Sequence, residues 1–342
     1  MEAKVATPGL IDARSVVGLA GYLNQDTDQD QLESSEAIQP ELRAIDAYNT
    51  REALVEWLRS FGVTTIHTGH GPGELVSGQT MITKTAGDTV AEAVIEPGAM
   101  VAVTLGDGAR PSANGRKSPG TRAKTVAMLR AELIKAQEYL AKHDAADDDD
   151  ETEPPARDLR LEALASVLQG DLPLLVTANR HNDIVTALRI ASEFDIDVVL
   201  DSAAESYLLL DEIKAANVPV ILHPPMKRAW GEAENASFTT ARKLVDAGIA
   251  VTIQSGYVSY VPKTRVVLFE ASILLQHGFS LEDALALITI DAARVLDIDD
   301  RVGSLEPGKD GDIALFDGDP LEYTTRAVGT IIDGGIVSEI AR

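Results

Sequence analysis

From about residue 60 the chain alternates short apolar, β-branched runs with longer segments of helical periodicity. Runs of the first kind suit strands buried on both faces, and segments of the second suit crossover helices between parallel strands. Eight runs qualify: residues 9–11, 63–68, 81–84, 100–105, 174–177, 198–200, 218–223 and 249–253. The last four are the clearest, each separated from the next by one helix-length segment, 183–194, 204–216 and 238–247. That rhythm fits a (β/α)8 barrel or a doubly wound sheet, and eight strands favour the barrel, with 81–84 its weakest member. Three more helices follow at 264–277, 280–288 and 291–296. The character then changes. A turn-rich stretch, 303–312, leads into short runs at 313–316, 330–333 and 336–340, punctuated by Asp317-Gly318 and Asp333-Gly334-Gly335. Such turns join antiparallel strands. The expected organisation is an α/β barrel over residues 1–302 with a small β-unit over 303–342.

Composition narrows the classes. Of 342 residues 45% are hydrophobic, enough for a large core and too many for disorder. No apolar stretch approaches the roughly 18 residues of a membrane span, so no membrane partner is expected. The start, MEAKVATPGLIDA, lacks a basic segment followed by an apolar one, which makes a cytoplasmic location the default expectation. Without cysteine there is no disulfide and no thiolate metal site. Thirty basic against 54 acidic residues give a net charge of −24, which disfavours nucleic acid. That acidity suits plain solubility or a salt-rich habitat, and unfolding in dilute and concentrated KCl separates the two. Residues 144–155, with four consecutive aspartates and two prolines, read as a solvated loop after a helix at 121–142. Their spacing lacks the calcium-loop pattern of an EF-hand.

Motif searches return little. There is no His-Glu-x-x-His, no Gly-x-Ser-x-Gly and no Gly-x-Gly-x-x-Gly, and Gly115-Arg116-Lys117-Ser118 lacks the earlier glycine of a phosphate loop. Of six histidines, His277 before Gly278 and His143 beside the acidic run read as structural. His67 and His70 follow the second strand in IHTGHGPG, His181 follows the fifth in TANRHND, and His223 ends the seventh in VILHPP. Those strand ends form the ligand-binding mouth of a barrel. The bland alternative for each is a loop histidine with satisfied hydrogen bonds. Gly69, Gly71 and Gly73 would leave backbone N–H groups open to an anion.

Three stretches carry a resemblance. PGLIDA (8–13) resembles the first barrel strand of the amidohydrolase superfamily, and GVTTIHTG (62–69) resembles its second. Residues 280–320, containing ALALITIDAARVLDIDDRVGSLEPGKDGDIALFDGDP, are similar to the helix pair and G-S-(L/I)-E-P-G-K-x-A-D turn of its imidazolonepropionase-like group. Gly311 stands at the usual alanine, and Asp312 keeps the acid. The resemblance runs over nearly the whole chain. It implies a TIM-like barrel, a small β-sandwich whose N-terminal half is missing here, and hydrolysis of carbon–nitrogen bonds other than peptide bonds. It also implies one or two divalent metals that acidify a water. Their ligands would be His-x-His on strand one, a carboxylated lysine on strand four, histidines on strands five and six, and an aspartate on strand eight.

The chain departs from that set at each position. Strand one reads Asp12-Ala13-Arg14-Ser15-Val16, where an arginine and a valine replace both histidines. Strand four, MVAVTL, has no lysine; strands five and six end in Thr177-Ala178-Asn179 and Asp201-Ser202; strand eight gives Gln254-Ser255-Gly256. Arginine does not deprotonate to bind a metal and valine has no donor, whereas zinc needs about three or four protein ligands.

The leading expectation is a degenerate homologue, a pseudoenzyme whose mouth binds a small polar or anionic ligand or serves assembly. An alternative is an active hydrolase with zinc or another divalent metal relocated onto His67, His70, His181 and His223, with Asp201 or Glu205. A third is a metal-independent enzyme that polarises its substrate with Arg14 or Lys227-Arg228. No residue stands out as catalytic. The candidate pocket comprises Arg14, His67, His70, Asn179, Arg180, His181, Asp201, Glu205, His223, Lys227 and Arg228. They form either a positive island on an acidic surface or pairs with Asp12, Asp183, Asp201 and Glu205. No cofactor is expected under the leading reading. The expected partner is a small molecule, with a homo-oligomer allowed.

Overall fold

The computed structural model describes residues 2–23, 25–109, 119–148, 153–257 and 266–342. The basic loop Gly115-Arg116-Lys117-Ser118 and positions 149–152 of the acidic run lie outside the described residues, as do 264 and 265 at the start of an expected helix. The strands are β1 (Val5–Pro8), β2 (Leu10–Ser15), β3 (Val63–Thr68), β4 (Val76–Gln79), β5 (Met81–Lys84), β6 (Val94–Glu96) and β7 (Val101–Thr104). They continue as β8 (Leu174–Ala178), β9 (Val198–Ser202), β10 (Val220–Leu222), β11 (Val251–Ile253), β12 (Ile313–Phe316), β13 (Ala327–Ile332) and β14 (Gly335–Ser338).

One sheet has the order β11-β10-β9-β8-β7-β4 and a second the order β2-β3-β5-β6. β7 to β11 are mutually parallel, as are β2 and β3. The expected parallel strand at 81–84 is a correction: β5 runs antiparallel to β3, and β4 antiparallel to β7. Residues 69–80 join β3 to β5 and hold β4 but no helix, so the chain returns without the helical crossover a parallel pair requires. Thr80 alone separates β4 from β5. Its N–H donates to the Met100 carbonyl at 2.8 Å and its carbonyl accepts from Ala99 N–H at 2.8 Å, so one stretch of chain stitches the two sheets together. Between β11 and β2 there is no ladder among the described residues. There Ser255, just past β11, donates to the Asp12 carboxylate of β2 from its backbone N–H (3.1 Å) and its hydroxyl.

Alternation along the strands sorts their side chains into two sets. Leu10, Val101, Val103, Leu174, Val176, Val198, Leu200, Val220, Leu222, Val251 and Ile253 belong to the large core that the flanking helices cover. Ile11, Ala13, Ile82, Met100, Leu175, Val199 and Ile221 pack instead with Ala292, Ala293, Val295 and Leu296 from the helix at Ile290–Val295 and its end.

The small unit also needs correction. Its four antiparallel strands have the order β1-β12-β13-β14, so residues 5–8 lie with the C-terminal strands rather than inside a unit spanning 1–302. β1 pairs along one side of β12, where three C-terminal strands alone would have left an open edge. Gly62 lets this sheet approach: at φ +87° it has no side chain, and a Cβ would lie 2.6 Å from that of Ala314. The buried Lys84 ammonium fixes the contact through Asp312 (2.6 Å) and Asp310 (2.9 Å). The helix Arg122–Asp148 continues through 144–148, which makes that part of the acidic run helical rather than a loop. His143 rests edge-on against Tyr139, and His277 stacks on Phe238 beside Gly278.

Candidate functional site

Two residues beyond the apolar set, the same face of the strands becomes polar. Thr177, Asp201 and His223 follow Leu175, Val199 and Ile221 at that spacing, and Gln254 follows β11. All four are buried. Asp201 accepts from the Thr177 hydroxyl at 2.5 Å and from Gln254 Nε2 at 2.7 Å, while the same Gln254 amide also reaches the Ile221 carbonyl at 3.2 Å. His67 belongs to this layer and is fully committed. Its Nδ1–H donates to the Ala13 carbonyl at 2.8 Å and its Nε2 accepts from the Thr80 hydroxyl at 2.7 Å. Burial, then the Arg14 charge, push its pKa down to about 3. It is a locked neutral core histidine.

Arg14, one residue before the end of β2, has 1% of its surface exposed. One Nη donates to the His70 carbonyl and the other to the Ser15 carbonyl at 3.5 Å; Nε has no partner among the described residues. Its guanidinium lies 5.5 Å from the centre of the Tyr257 ring. Burial pulls its pKa below the ordinary arginine value, opposed by the charges of Asp201, Tyr257 and Asp12. The Tyr257 and Ser202 hydroxyls lie 2.6 Å apart, and Lys227 Nζ stands 6.0 Å from the same ring centre. His223 donates its backbone N–H to the Ser202 carbonyl at 3.0 Å, and its Nδ1–H to the Pro224 carbonyl at 2.8 Å. Its Nε2 has no partner among the described residues, and burial followed by the Lys227 charge pushes its pKa down to about 4.

Arg14, Asp201, His223 and Lys227 are therefore brought together, and Tyr257, Ser202, Thr177 and Gln254 join them. Tyr257 was not singled out from the sequence. Its signal is an aromatic residue directly after Gln254-Ser255-Gly256, where an acid was sought.

The remaining candidates sit elsewhere. His70 holds Arg14 only through its carbonyl. Its imidazole packs against Gly78, where a Cβ would lie 2.5 Å away; neither ring nitrogen has a partner among the described residues, and burial brings its pKa to about 4. Asn179, Arg180, His181 and Glu205 form a second cluster. Glu205 accepts from the His181 N–H (2.7 Å), His181 Nδ1 (2.9 Å) and Asn235 (2.7 Å), and its own N–H bonds the Asn179 carbonyl. Arg180 faces Glu234 at 3.6 Å, Asp183 binds Arg122 at 2.8 Å, and Arg228 is exposed. The single positive island is thus divided. The glycine loop is not an anion cradle either, because Gly71 N–H bonds the Gln31 carbonyl (2.6 Å) and Gly73 N–H faces the Thr104 hydroxyl (3.4 Å). A cavity of about 680 Å³ opens at the opposite, N-terminal end of the strands, beside Met100, Pro173, Val198 and Pro219, and none of the groups above lines it.

The donor set does not fit a divalent metal. Among the described residues no three His, Asp or Glu side chains are grouped to hold one. The relocated ligand set is not assembled: both nitrogens of His67 are used within the protein, His70 packs on Gly78, and His181 is bound to Glu205. A cation, Arg14, stands one residue before the end of β2.

Comparison with known proteins adds the family. The sequence model of the amidohydrolase family matches residues 5–338. The chain is 24% identical to "Amidohydrolase tasK" of Hapsidospora irregularis over 97% of its own length but 36% of that protein's. It is 28% identical to the imidazolonepropionase of Thermoplasma volcanium over 48% of its length and 41% of the relative's. The chain thus spans well under half the length of these relatives. A solved structure of an amidohydrolase from Thermotoga maritima MSB8 superposes with a TM-score of 0.93 at 27% identity, covering 98% of this chain and 87% of that one.

Proposed function

The chain belongs to the amidohydrolase family, and from that premise we propose a member that works without the family's metal-bound water and holds a small polar ligand at its strand ends. The observation that carries this reading is the buried Arg14 guanidinium, whose Nε has no partner among the described residues, with His223 Nε2 and Gln254 Oε1 of the same polar layer likewise unpartnered there. Leaving a buried donor or acceptor unmade costs about 1–3 kcal/mol each. A ligand that supplies the missing partners would recover that cost. The same reading closes the two sheets into an eight-position barrel, with the Asp12–Ser255 contacts spanning the seam between β2 and β11.

The test is a thermal-denaturation screen of small amides, ureas and carboxylates with a chelator present. Saturable stabilisation that disappears in Arg14→Lys is expected, because lysine keeps the charge but lacks Nε–H. Turnover of a cyclic amide that tracks stoichiometric zinc would overturn the proposal.

A further inference from the structure

The polarity of the unpartnered atoms says more than their number. With both Nη groups of Arg14 directed at backbone carbonyls, the nitrogen left without a partner among the described residues is Nε, a donor. His223 Nδ1 faces the Pro224 carbonyl, which can only accept, so Nδ1 carries the proton and the neutral ring presents Nε2 as an acceptor. Burial and the neighbouring Lys227 hold the ring in that neutral form, with a pKa near 4. Gln254 is oriented in the same way: its NH2 faces two acceptors, Asp201 and the Ile221 carbonyl, leaving Oε1 an acceptor with no partner among the described residues. Positive charge is concentrated on one side, where Arg14 and Lys227 stand 5.5 and 6.0 Å from the centre of the Tyr257 ring. The Tyr257 hydroxyl, through Ser202, connects this pair to the His223 backbone, and Asp201 connects Arg14 to Gln254.

We infer that the strand-end cluster is a receptor for a small monocarboxylate bearing a neutral N–H or O–H donor: the carboxylate lies against Arg14 Nε and Lys227, and the donor points at His223 Nε2 or Gln254 Oε1. This rests on the reading above and adds the ligand's charge and its donor. A single negative charge suits the site better than two, because the buried Asp201 carboxylate and two bare acceptors share it. A carboxylate with no donor would leave both acceptors desolvated and unpaired. Sites of that kind reject analogues lacking the hydrogen-bonding group.

An isosteric trio tests the inference by calorimetric titration. N-acetylglycine carries a carboxylate and an amide N–H, 4-oxopentanoate replaces that N–H by CH2, and N-acetylglycinamide keeps the amide but loses the charge. N-acetylglycine should bind about tenfold more tightly than 4-oxopentanoate, the ratio of one unmade buried hydrogen bond. Lys227→Met, at a half-buried loop position that leaves the core intact, should weaken both carboxylates about tenfold and leave N-acetylglycinamide unchanged. His223→Phe should abolish or shrink the N–H preference while retaining carboxylate binding. Equal affinity for N-acetylglycine and 4-oxopentanoate, or indifference of both to Lys227→Met, overturns the inference. Binding of N-acetylglycinamide alone overturns it while leaving a polar-ligand site standing. Binding of none of the three removes both.

Discussion

Two layers of side chains share one face of the same strands and obey opposite rules. The lower layer, Ile11, Ile82, Met100, Leu175, Val199 and Ile221, meets Ala292, Val295 and Leu296 and is apolar throughout. The upper layer, His67, Thr177, Asp201, His223 and Gln254, is as deeply buried but polar, with Arg14 beside it. Packing completes the lower layer, since an apolar contact asks only for shape. Hydrogen bonds among the described residues complete the upper layer only partly: Thr177, Asp201 and His67 are satisfied, whereas Arg14, His223 and Gln254 each keep an unpartnered atom. Stability resides in the first layer, and the second is where the fold accepts a cost. Under the proposed reading, that cost is what a bound ligand offsets.

The largest effect expected belongs to Arg14. Asp12 and Asp201 are fully buried, and Arg14→Met removes the cation whose field both carboxylates share. Breaking one side of a buried charge cluster costs about 3–5 kcal/mol, measurable by urea denaturation at pH 7. Adding Asp201→Asn to Arg14→Met should return part of that loss, since the amide carries no charge to leave unpaired. A single variant as stable as the parent would show that the guanidinium is not the countercharge. In the lower layer Leu175→Ala should cost about 3 kcal/mol through its cavity, with the same loss at pH 5 and pH 8.

The two layers were also unequally legible. Strand alternation placed β3 and β5, and the strand-end histidines, because apolar periodicity is written in the chain itself. β4 escaped notice since Val76-Ser77-Gly78-Gln79 carries little apolar signal; its pairing with β7 is a tertiary choice. The antiparallel direction of β5 is not legible in the run 81–84, because periodicity carries no direction and the twelve residues 69–80 before it are long enough for either sense. In the site, Arg14 was visible as an arginine where the family resemblance implies a histidine. Yet sequence cannot separate His67, locked by Ala13 and Thr80, from His223, whose Nε2 has no partner among the described residues. That difference is made by hydrogen bonds to partners 54 and 13 positions away in one case and one position away in the other.

Acid should separate the layers next. Burial holds His67 near pKa 3 and His223 near 4 in the folded chain, against about 6.5 when unfolded. Unfolding therefore takes up protons below about pH 6.5. Their contribution is complete above that pH and is lost as pH falls towards 4, by about 3 kcal/mol for His67 between pH 6.5 and 4. Asp12 works in the opposite sense. Burial raises its pKa to about 6 from 3.8, so its contribution is complete below 3.8 and is lost as pH rises through 6. Asp12→Asn should flatten the upper part of the stability–pH curve and His67→Gln the lower part, and Leu175→Ala should only shift the curve down. A Leu175→Ala curve of altered shape would mean that the two layers are not separable.

The smallest effect, and the one that most sharpens the comparison, is that of zinc. A site of nanomolar affinity would add about 4 kcal/mol at a thousandfold excess of free metal over its dissociation constant, because only the folded state binds. In the upper layer His67 uses both nitrogens internally, Asp201 accepts two hydrogen bonds, and Arg14 repels a divalent ion, which leaves His223 Nε2 as a single donor where zinc needs three or four. Micromolar zinc, or its removal by EDTA, should therefore leave the urea midpoint unchanged. Restoring the strand-one pair with Arg14→His and Val16→His should still produce no zinc-dependent shift, since Thr177, Ser202 and Gly256 offer no imidazole or carboxylate in return. A midpoint that rises with zinc and falls with chelator in the parent chain would reverse the assignment, making the unpartnered atoms vacancies left by a metal rather than by an organic ligand.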